Sequence, residues 1–451
     1  MISIKKNKIT PGLLLVFWVF VWLSISTSPA DIKNINLNNY VSIINFFRIS
    51  MPLMLSIIGF PLLYFFIYKK KTGNISNYLI FYFFIIYFIL QIVGLYYNDI
   101  LNFDISYFFL PILAIGALEI FLFLKFLNLP KSQNIFLYIS IFILAVANFF
   151  VLLTIIENYS NRNHMYLYNS INLDDKILEQ IFPRVTGFSR SIAIINLFII
   201  SSFIFLKKNK YIAISECLTI IFFSIIIWGV QSRGSILCFG ISFILLLLLS
   251  VNCNLKKKIL VFFVVILIPI STFESYKLYK TKVGSAQAQL GDKKSNVQIE
   301  MYVENTRFNL KQGSSGRVQL WQKAINNYDK GKIFGYGPQA DRLLISEKLA
   351  QQYGNNVSNG FLYAFLCSGY FGLIIFLIIN LQIILSIYKI VFIRKIFSNE
   401  KLFTEKVSVI FLLFFGIRIF FENSYAVFSI DFLLTLVSLF LINNYLSKKT
   451  I

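Results

Sequence analysis

The run SILCFGISFILLLLLSVN, residues 235–252, points to the fold class of this chain because it contains no charged residue. An α-helix rises about 1.5 Å per residue, so a run of this length covers most of the ~30 Å hydrocarbon core of a bilayer. Similar runs recur along the 451 residues, of which 57% are hydrophobic and only 14% charged. Because lipid offers no partners to backbone polar groups, such runs must be helices, and the alternation typical of a membrane barrel is absent. The sequence therefore predicts an all-α polytopic membrane protein.

The apolar runs between charged residues predict about twelve transmembrane helices. The first follows a lysine-rich amino terminus that is also typical of a signal peptide, but its apolar core is long for one, so we interpret it as an uncleaved span. The predicted spans are 11–28, 48–68, 78–97, 105–124, 134–156, 189–206, 211–230, 235–252, 259–273, 359–388, 406–421 and 424–446.

The distribution of basic residues predicts the orientation of these helices. With a cytoplasmic amino terminus, the inner segments hold 21 Lys and Arg against two acids, Glu400 and Glu405. This asymmetry is the one that orients helices during insertion, so both termini are expected in the cytoplasm. The net charge of +22 is then mostly a consequence of topology, and we predict no nucleic-acid partner.

The chain contains few residues of the types that bind metals or redox centres. The four cysteines lie in or beside apolar spans without CxxC spacing, and His164 is the single histidine. No glycine-rich phosphate loop occurs between a strand and a helix. The sequence therefore predicts neither a metal site nor a cofactor.

Two long segments fall on the predicted outer side, 157–187 and 274–357. Loops this long in a compact bundle are usually functional or disordered. The second carries more basic than acidic residues, against the insertion bias, which is consistent with an anionic ligand. We therefore divide the chain into an N-terminal transmembrane bundle (1–273), a large outer loop (274–357) and C-terminal transmembrane helices (358–451).

Within the large loop, GSSGRVQLWQKAINN (313–327) predicts a helix capped by Ser315, with Arg317 in its first turn. An apolar stripe is expected to lie on the bundle or on the membrane surface. Arg317 is explained if a phosphate group docks between its side chain and the free N–H groups of the helix start, while the alternative is a solvated surface charge. The stripe comprises Trp321, Ala324, Ile325 and Tyr328.

Three further arginines are predicted near the same membrane face. Arg233 lies in a very short outer turn between two spans, and Arg184 and Arg190 flank the entry to another. Arginine suits phosphate binding because its charge is permanent and its planar fork binds two oxygens at once. The alternative for each is snorkelling or anchoring of a helix end.

Three stretches resemble, in order and spacing, the core of the O-antigen polymerase and ligase superfamily. PRVTGFSRSIA is similar to the upstream element of that family, and the resemblance covers roughly residues 184–377. The ordered set is more specific than any one motif. The three stretches are SRGSILCFGISFILLLLLS, SGRVQLWQKAINNYDKGKIFGYGPQ and SNGFLYAFLCSGYFGLIIFL.

The resemblance implies a metal-independent membrane glycosyltransferase of GT-C-like architecture in the bacterial inner membrane, with its site facing the periplasm under a large loop. It assigns the essential arginines of the family to Arg233 and Arg317, and substrate contacts to Tyr336, Ser358 and Asn359. In the ligases a histidine, regarded as the base, occupies the position of Ser358, so this chain is expected to be a polymerase. The implied partners are polyprenyl-diphosphate-linked glycans as donor and acceptor, the lipid bilayer and a polysaccharide chain-length regulator.

The chemistry expected of such a site follows from its leaving group. Outside the membrane there is no nucleotide sugar, so the donor must be activated by a polyprenyl diphosphate carrier. Prepositioned cations can stabilise the charge that grows on the departing diphosphate. We expect Arg233 and Arg317 to do so, with Arg184 and Arg190 as secondary binders.

A general base would have to come from a small set of residues. Glu422 follows Arg418 by four residues, which favours a structural ion pair between them over a base. Asp431 is expected seven residues into the last span, and His164 lies in the first outer loop. These three residues are the candidates.

Two other functions remain open from the sequence. A ligase would transfer the glycan to lipid A-core instead of extending it. A flippase for lipid-linked oligosaccharides would also need cations facing a cavity, and Glu119 and Glu216 are candidates for its proton path. The long basic outer loop favours an enzyme over a flippase.

Overall fold

In the computed structural model every regular element among the described residues is helical. The structure describes residues 79–97, 133–161, 185–230, 232–272, 317–329, 333–342, 357–399, 401–422 and 429–448, with isolated positions 54, 57, 110, 113–114, 116–117, 275 and 344–345. The all-α class is therefore confirmed for this part of the chain. The predicted span 11–28, and most of 48–68 and 105–124, lie outside it.

The α-helices of the described residues follow the apolar runs of the sequence. Two of them continue as π-helical turns, Phe263–Leu267 and Lys389–Ile393. The α-helices are α1 Leu79–Tyr97, α2 Gln133–Asn161, α3 Val185–Phe205, α4 Lys210–Val230, α5 Arg233–Leu249, α6 Leu255–Phe262, α7 Arg317–Asn326, α8 Gly360–Tyr388, α9 Phe403–Arg418 and α10 Ile430–Lys448.

Five helices in the described part of the chain are long and apolar enough to cross a membrane. Helices of this kind confirm a membrane-type composition, while the total of twelve spans stays a prediction. The five stretches are Leu79–Tyr97, Phe188–Phe205, Lys210–Gly229, Gly360–Ile393 and Ile430–Ser447, and Asn134–Phe149 and Arg233–Leu249 are shorter apolar helices.

The chain forms two compact units. The first comprises Met1–Ile143 and Gly316–Ile451, and the second comprises Leu144–Ser315. In the second unit, α3 packs against α4 and α5. Buried polar side chains pair between its helices: Ser191 donates to Asn148 at 2.7 Å, and Asn196 donates to Ser224 at 3.0 Å.

In the first unit, α1 packs along α8, and α9 packs along α10. Aromatic rings fill the spaces between these helices. The ring of Phe432 in α10 contacts Phe84 and Phe88 of α1, with centroids 5.6 and 5.5 Å apart. Tyr87 of α1 contacts Phe376 of α8 at 5.5 Å. Side chains of α9 and α10 are buried along most of both helices, which makes this pair the centre of the unit.

Helix α8 occupies the predicted span 359–388 and is broken at Gly369 within it. Gly369 has φ 68° and ψ −162°, a conformation that glycine adopts without strain. The rings of Phe361 and Phe376 lie 5.6 Å apart. Fifteen residues of straight helix would separate them by about 22 Å, so residues 360–368 fold back beside the rest of α8. Residues 370–393 alone are still long enough to cross a bilayer.

The turn-rich segment 333–342 occupies the break in α8. The N–H groups of Tyr336 and Gly337 donate to the carbonyls of Leu366 and Cys367 at 3.0 and 2.9 Å. These bonds satisfy carbonyls that lose their helical partners at the break. A Cβ on Gly369 would lie 1.8 Å from the Ile333 carbonyl oxygen, so the close approach requires glycine there.

Candidate functional site

Helix α7 lies on the first part of α8, and its apolar stripe predicts such packing. Leu320, Ala324 and Tyr328 are buried against α8 in one apolar cluster. Trp321 is partly buried there, and its Nε1–H donates to the Val357 carbonyl at 2.5 Å. Ile325, which we expected in the stripe, is 51% exposed, and Leu320 takes its place because the buried face is centred one position earlier.

Arg317 is the first described residue of α7, and two groups after the end of α9 hold its side chain. Its Nη1 donates to the Phe421 carbonyl at 2.7 Å, and its Nη2 donates to Oε1 of Glu422 at 3.3 Å. A guanidinium has five N–H donors, so these contacts leave donors for a further ligand. The side chains of Arg317 and Glu422 are 25% and 14% exposed, so a ligand can reach both.

Glu422 lies between two arginines. Besides Arg317, the Nη2 of Arg418 lies 4.0 Å from its Oε2, so the i, i+4 ion pair expected from the sequence is present. Arg418 also forms an ion pair with Asp431 of α10, and these two side chains are only 3% and 0% exposed. We call Arg317, Arg418, Glu422 and Asp431 the charged cluster. Two cations and two carboxylates leave it neutral as a whole.

Asp431 is nearer to the start of its helix than we predicted. The last span was expected from residue 424, but α10 begins at Ile430, which places Asp431 in its first turn. A carboxylate is stabilised at a helix N-terminus by the macrodipole, and here it also meets Arg418. Residues 423–428 are outside the described residues.

Asn359 joins the start of α8 to the end of α9. Its side-chain oxygen accepts the Leu362 N–H at 3.0 Å and so caps α8, while its Nδ2 donates to the Phe420 carbonyl at 3.2 Å. The Gly360 N–H donates to the Ile419 carbonyl at 2.8 Å. With the Arg317 bond to Phe421, three successive carbonyls after α9 accept from α7 and α8.

Ser358 precedes this cap in a left-handed backbone conformation, with φ 46°. Residues other than glycine rarely adopt this backbone conformation, and such strain is often found at functional sites. Ser358 is adjacent in the chain to Asn359, whose side chain binds the Phe420 carbonyl after α9.

Asp431 of the charged cluster lies next to a residue that packs on the middle of α1. Phe432, the neighbour of Asp431, packs on Phe84 and Phe88. Phe88 precedes Tyr97, the last residue of α1, by nine positions, which is about 13 Å along a helix. Ionisable groups at such a depth in an apolar bundle are functional candidates by default.

Tyr336 lies in the segment that fills the break of α8. Its hydroxyl accepts the Asp329 N–H at 3.1 Å, and its ring contacts Tyr328 with centroids 5.5 Å apart. Burial raises the pKa of Tyr328, so this phenol stays neutral at physiological pH. Tyr336 thus connects the end of α7 to α8, where its N–H binds the Leu366 carbonyl.

Arg190 and Arg233 belong to the second unit. Arg233 is the first residue of α5, directly after the N-cap residue Ser232. Arg190 is the sixth residue of α3, between the buried Ser189 and Ser191. The convergence of these arginines with Arg317 stays a prediction. Arg184, His164 and Ser315 lie outside the described residues.

Sequence reasoning missed two features of the first unit. Arg418 was considered only as the partner of Glu422, because nothing local shows that α10 brings Asp431 to it. Asp341 was counted only among the acids of the large loop, although it is fully buried and its Oδ2 accepts the Val357 N–H at 3.1 Å. An acidic residue in a loop is usually exposed to solvent, so nothing in the local sequence indicated that Asp341 is buried.

The glutamate considered for a proton path has a cation partner. Glu216 of α4 forms an ion pair with Lys208, which also donates to Ser202 at 2.5 Å. Glu119, the other candidate, lies outside the described residues.

Comparison with known proteins identifies the family of the central region. Residues 218–377 match the family model described as O-antigen ligase. This interval holds Arg233, Arg317, Ser358 and Asn359, together with α7 and the first half of α8. No curated protein matches the chain. Residues 218–377 are therefore similar to the O-antigen polymerase and ligase superfamily, which supports a glycan-transferring membrane enzyme.

Proposed function

We propose that this protein is an integral membrane glycosyltransferase that polymerises polyprenyl-diphosphate-linked repeat units into O-antigen or a similar surface polysaccharide. The reaction takes place at the periplasmic face of the bacterial inner membrane. The observation that carries the proposal is the position of Arg317, in the family-matched region, partly exposed and held in orientation by Phe421 and Glu422.

The proposed reaction moves the growing glycan from its carrier to a new acceptor. The acceptor sugar hydroxyl attacks the anomeric carbon of the donor, a new C–O bond forms, and the bond to the diphosphate breaks. The bonding electrons leave with the diphosphate, and the hydroxyl proton goes to a base. Arg317 and Arg233 stabilise the charge on the departing oxygen, which is the largest charge change in the step.

Because the charged cluster is neutral as a whole, Arg317 alone does not supply enough positive charge to bind a diphosphate. Glu422 and Asp431 offset both cations, so a diphosphate bound to Arg317 needs positive charge from elsewhere. Arg233, with Arg184 and Arg190 as secondary binders, is the proposed source. Tyr336, Ser358 and Asn359 are proposed to line the same substrate site.

The base candidates differ in their surroundings. Asp431 is fully buried in its ion pair with Arg418, and Glu422 accepts a hydrogen bond from Arg317. An oxygen of each carboxylate already accepts from a guanidinium group, so fewer lone pairs remain to take a proton from a substrate hydroxyl. We therefore assign both acids to holding the arginines, and His164 is the candidate base that remains.

The test of the proposed function is genetic. A strain lacking this gene should carry lipid A-core capped by a single repeat unit, because ligation continues while polymerisation stops. The family description favours O-antigen ligase as the second candidate. Loss of all capping, with long carrier-linked chains accumulating, would establish the ligase instead of the polymerase.

The assignment of the arginines is tested in the complemented strain. Arg317→Lys and Arg233→Lys should each lower polymerisation by ~100-fold or more, since lysine keeps the charge but lacks the planar fork. Lys323→Gln is the control, because Lys323 is an exposed cation on the same helix as Arg317. Long chains in both arginine variants, at normal protein levels in the membrane, would refute their role.

A further inference from the structure

We propose that Arg418 is a positioning residue, which orients Arg317 through Glu422 and through the turn that follows α9. The inference rests on the proposed function, because it concerns how the same site is built. Arg418 is not among the residues that the family resemblance marks.

The backbone of Arg418 fixes both residues that hold Arg317. Its carbonyl accepts the N–H groups of Phe421 and of Glu422, each at 2.9 Å. These two residues supply the acceptors for Nη1 and Nη2 of Arg317. The plane of the Arg317 guanidinium is therefore set by a single turn that closes on Arg418.

The side chain of Arg418 holds the same turn from the other side. One nitrogen is paired with Asp431 and the other lies 4.0 Å from Glu422, so its planar fork bridges a carboxylate of α10 and one in the turn after α9. With 3% exposure it offers a substrate almost no surface. Arg418 therefore acts through Glu422 and not by contact with the diphosphate.

Fixed orientation matters for the proposed chemistry. A hydrogen-bond donor that already points at the departing oxygen needs no reorganisation during the reaction. This preorganisation is the source of most of the transition-state stabilisation that such groups provide. If Arg418 no longer attracts Glu422, that carboxylate is free to follow Arg317 and to turn it away from the ligand. Lysine at position 418 keeps one charge but cannot bridge two carboxylates as a planar fork does.

A purely structural role of Arg418 is the alternative, in which it only fastens α7 to the bundle. Trp321→Phe is a matched control for that alternative. It removes the bond from Trp321 Nε1 to the Val357 carbonyl, which also anchors α7, and Trp321 forms no hydrogen bond with the charged cluster. A variant that merely loosens α7 should behave as Trp321→Phe does.

The experiment measures kcat and KM for the full-length protein in lipid nanodiscs. The substrate is the lipid-linked repeat unit extracted from the strain lacking this gene. Arg418→Lys and Glu422→Gln should each lower kcat by about 10- to 100-fold with KM within about threefold, because ground-state binding is kept while the oriented donor is lost. Trp321→Phe should keep kcat within about twofold while lowering the melting temperature.

The double variant Arg418→Lys/Glu422→Gln decides the mechanism. If Arg418 acts through Glu422, the double variant is no slower than the slower single variant, because both changes break one path. Multiplied losses, or equal loss of kcat in Trp321→Phe, would overturn the proposal. Full activity of Glu422→Gln would overturn it as well, and this outcome stays informative if Arg418→Lys fails to fold.

Failure of this inference is distinguishable from failure of the proposed function. An inactive Arg317→Lys beside fully active Arg418→Lys and Glu422→Gln would refute the positioning role and leave the proposed function standing. A fully active Arg317→Lys would instead remove Arg317 from the reaction and the positioning role with it.

Discussion

Asn359 shows, at the scale of single residues, how one side chain can serve two helices. Its oxygen caps α8 through the Leu362 N–H, and its nitrogen donates to the Phe420 carbonyl beyond α9. The family resemblance predicts this asparagine as a substrate contact, and the bonds show that it also sets the distance between the two helices. The local sequence predicts the cap, since asparagine is preferred at that position, but it does not predict the second bond, whose acceptor lies 61 residues away.

Replacing Asn359 by alanine is expected to destabilise the protein. Asn359→Ala removes the cap and leaves the Phe420 carbonyl without this donor, which together should cost about 1–3 kcal/mol. The melting temperature of the purified protein in detergent, followed by tryptophan fluorescence, measures the loss. Asn380→Ala is the matched control, because Asn380 bonds only to the Phe376 carbonyl of its own helix. Equal melting temperatures of the two variants would contradict the bridging role.

At the scale of elements, the break in α8 decides where the charged cluster lies. Residues 360–368 fold back, so Gly360 reaches the end of α9 and Phe361 reaches Phe376. An unbroken helix would carry Gly360 about 24 Å away from the level of Phe376. The apolar run predicts a helix here, but a glycine inside it gives no sign of a break, because the cause is the loop that docks against Gly369.

Gly369→Ala should therefore disrupt the docking of segment 333–342 and lower activity. The new Cβ would lie 1.8 Å from the Ile333 carbonyl oxygen, and φ 68° disfavours any side chain, so the loss of stability is expected to exceed about 2 kcal/mol. Protease cleavage within the segment and polymerisation in cells measure the effect. Gly416→Ala is the control, since its Cβ would meet nothing within 4 Å. An active, protease-resistant Gly369→Ala protein would contradict this account of the break.

At the scale of the whole molecule, charge asymmetry predicts which ends of the helices face the cytoplasm. The predicted inner segments include the start of α6, whereas α7 lies in the large loop on the predicted outer side. The family match and the apolar helices support a membrane enzyme. The insertion machinery reads lysine and arginine counts near the span ends, so the prediction rests on sequence alone.

Cysteine labelling tests this orientation. Single cysteines at Gln322 in α7 and at Lys256 in α6 occupy exposed positions and should fold normally. In intact cells with a permeable outer membrane, an impermeant maleimide should label Gln322→Cys, and it should label Lys256→Cys only after the inner membrane is opened. The protein without an introduced cysteine is the control for the four native thiols. Reversed labelling would overturn the topology and the periplasmic site.

The sequence by itself determined the all-α class, the course of most described helices, the helix that starts near Arg317 and the family of the central region. These follow from the length of apolar runs and from local patterns, which act over a few turns of chain. Only the tertiary structure decided that α8 folds back at Gly369, that Leu320 replaces Ile325 on the buried face, and that Asp431 meets Arg418. The physical reason is that a buried charge and a broken helix are each stabilised by partners distant in the chain, and no local pattern encodes such partners.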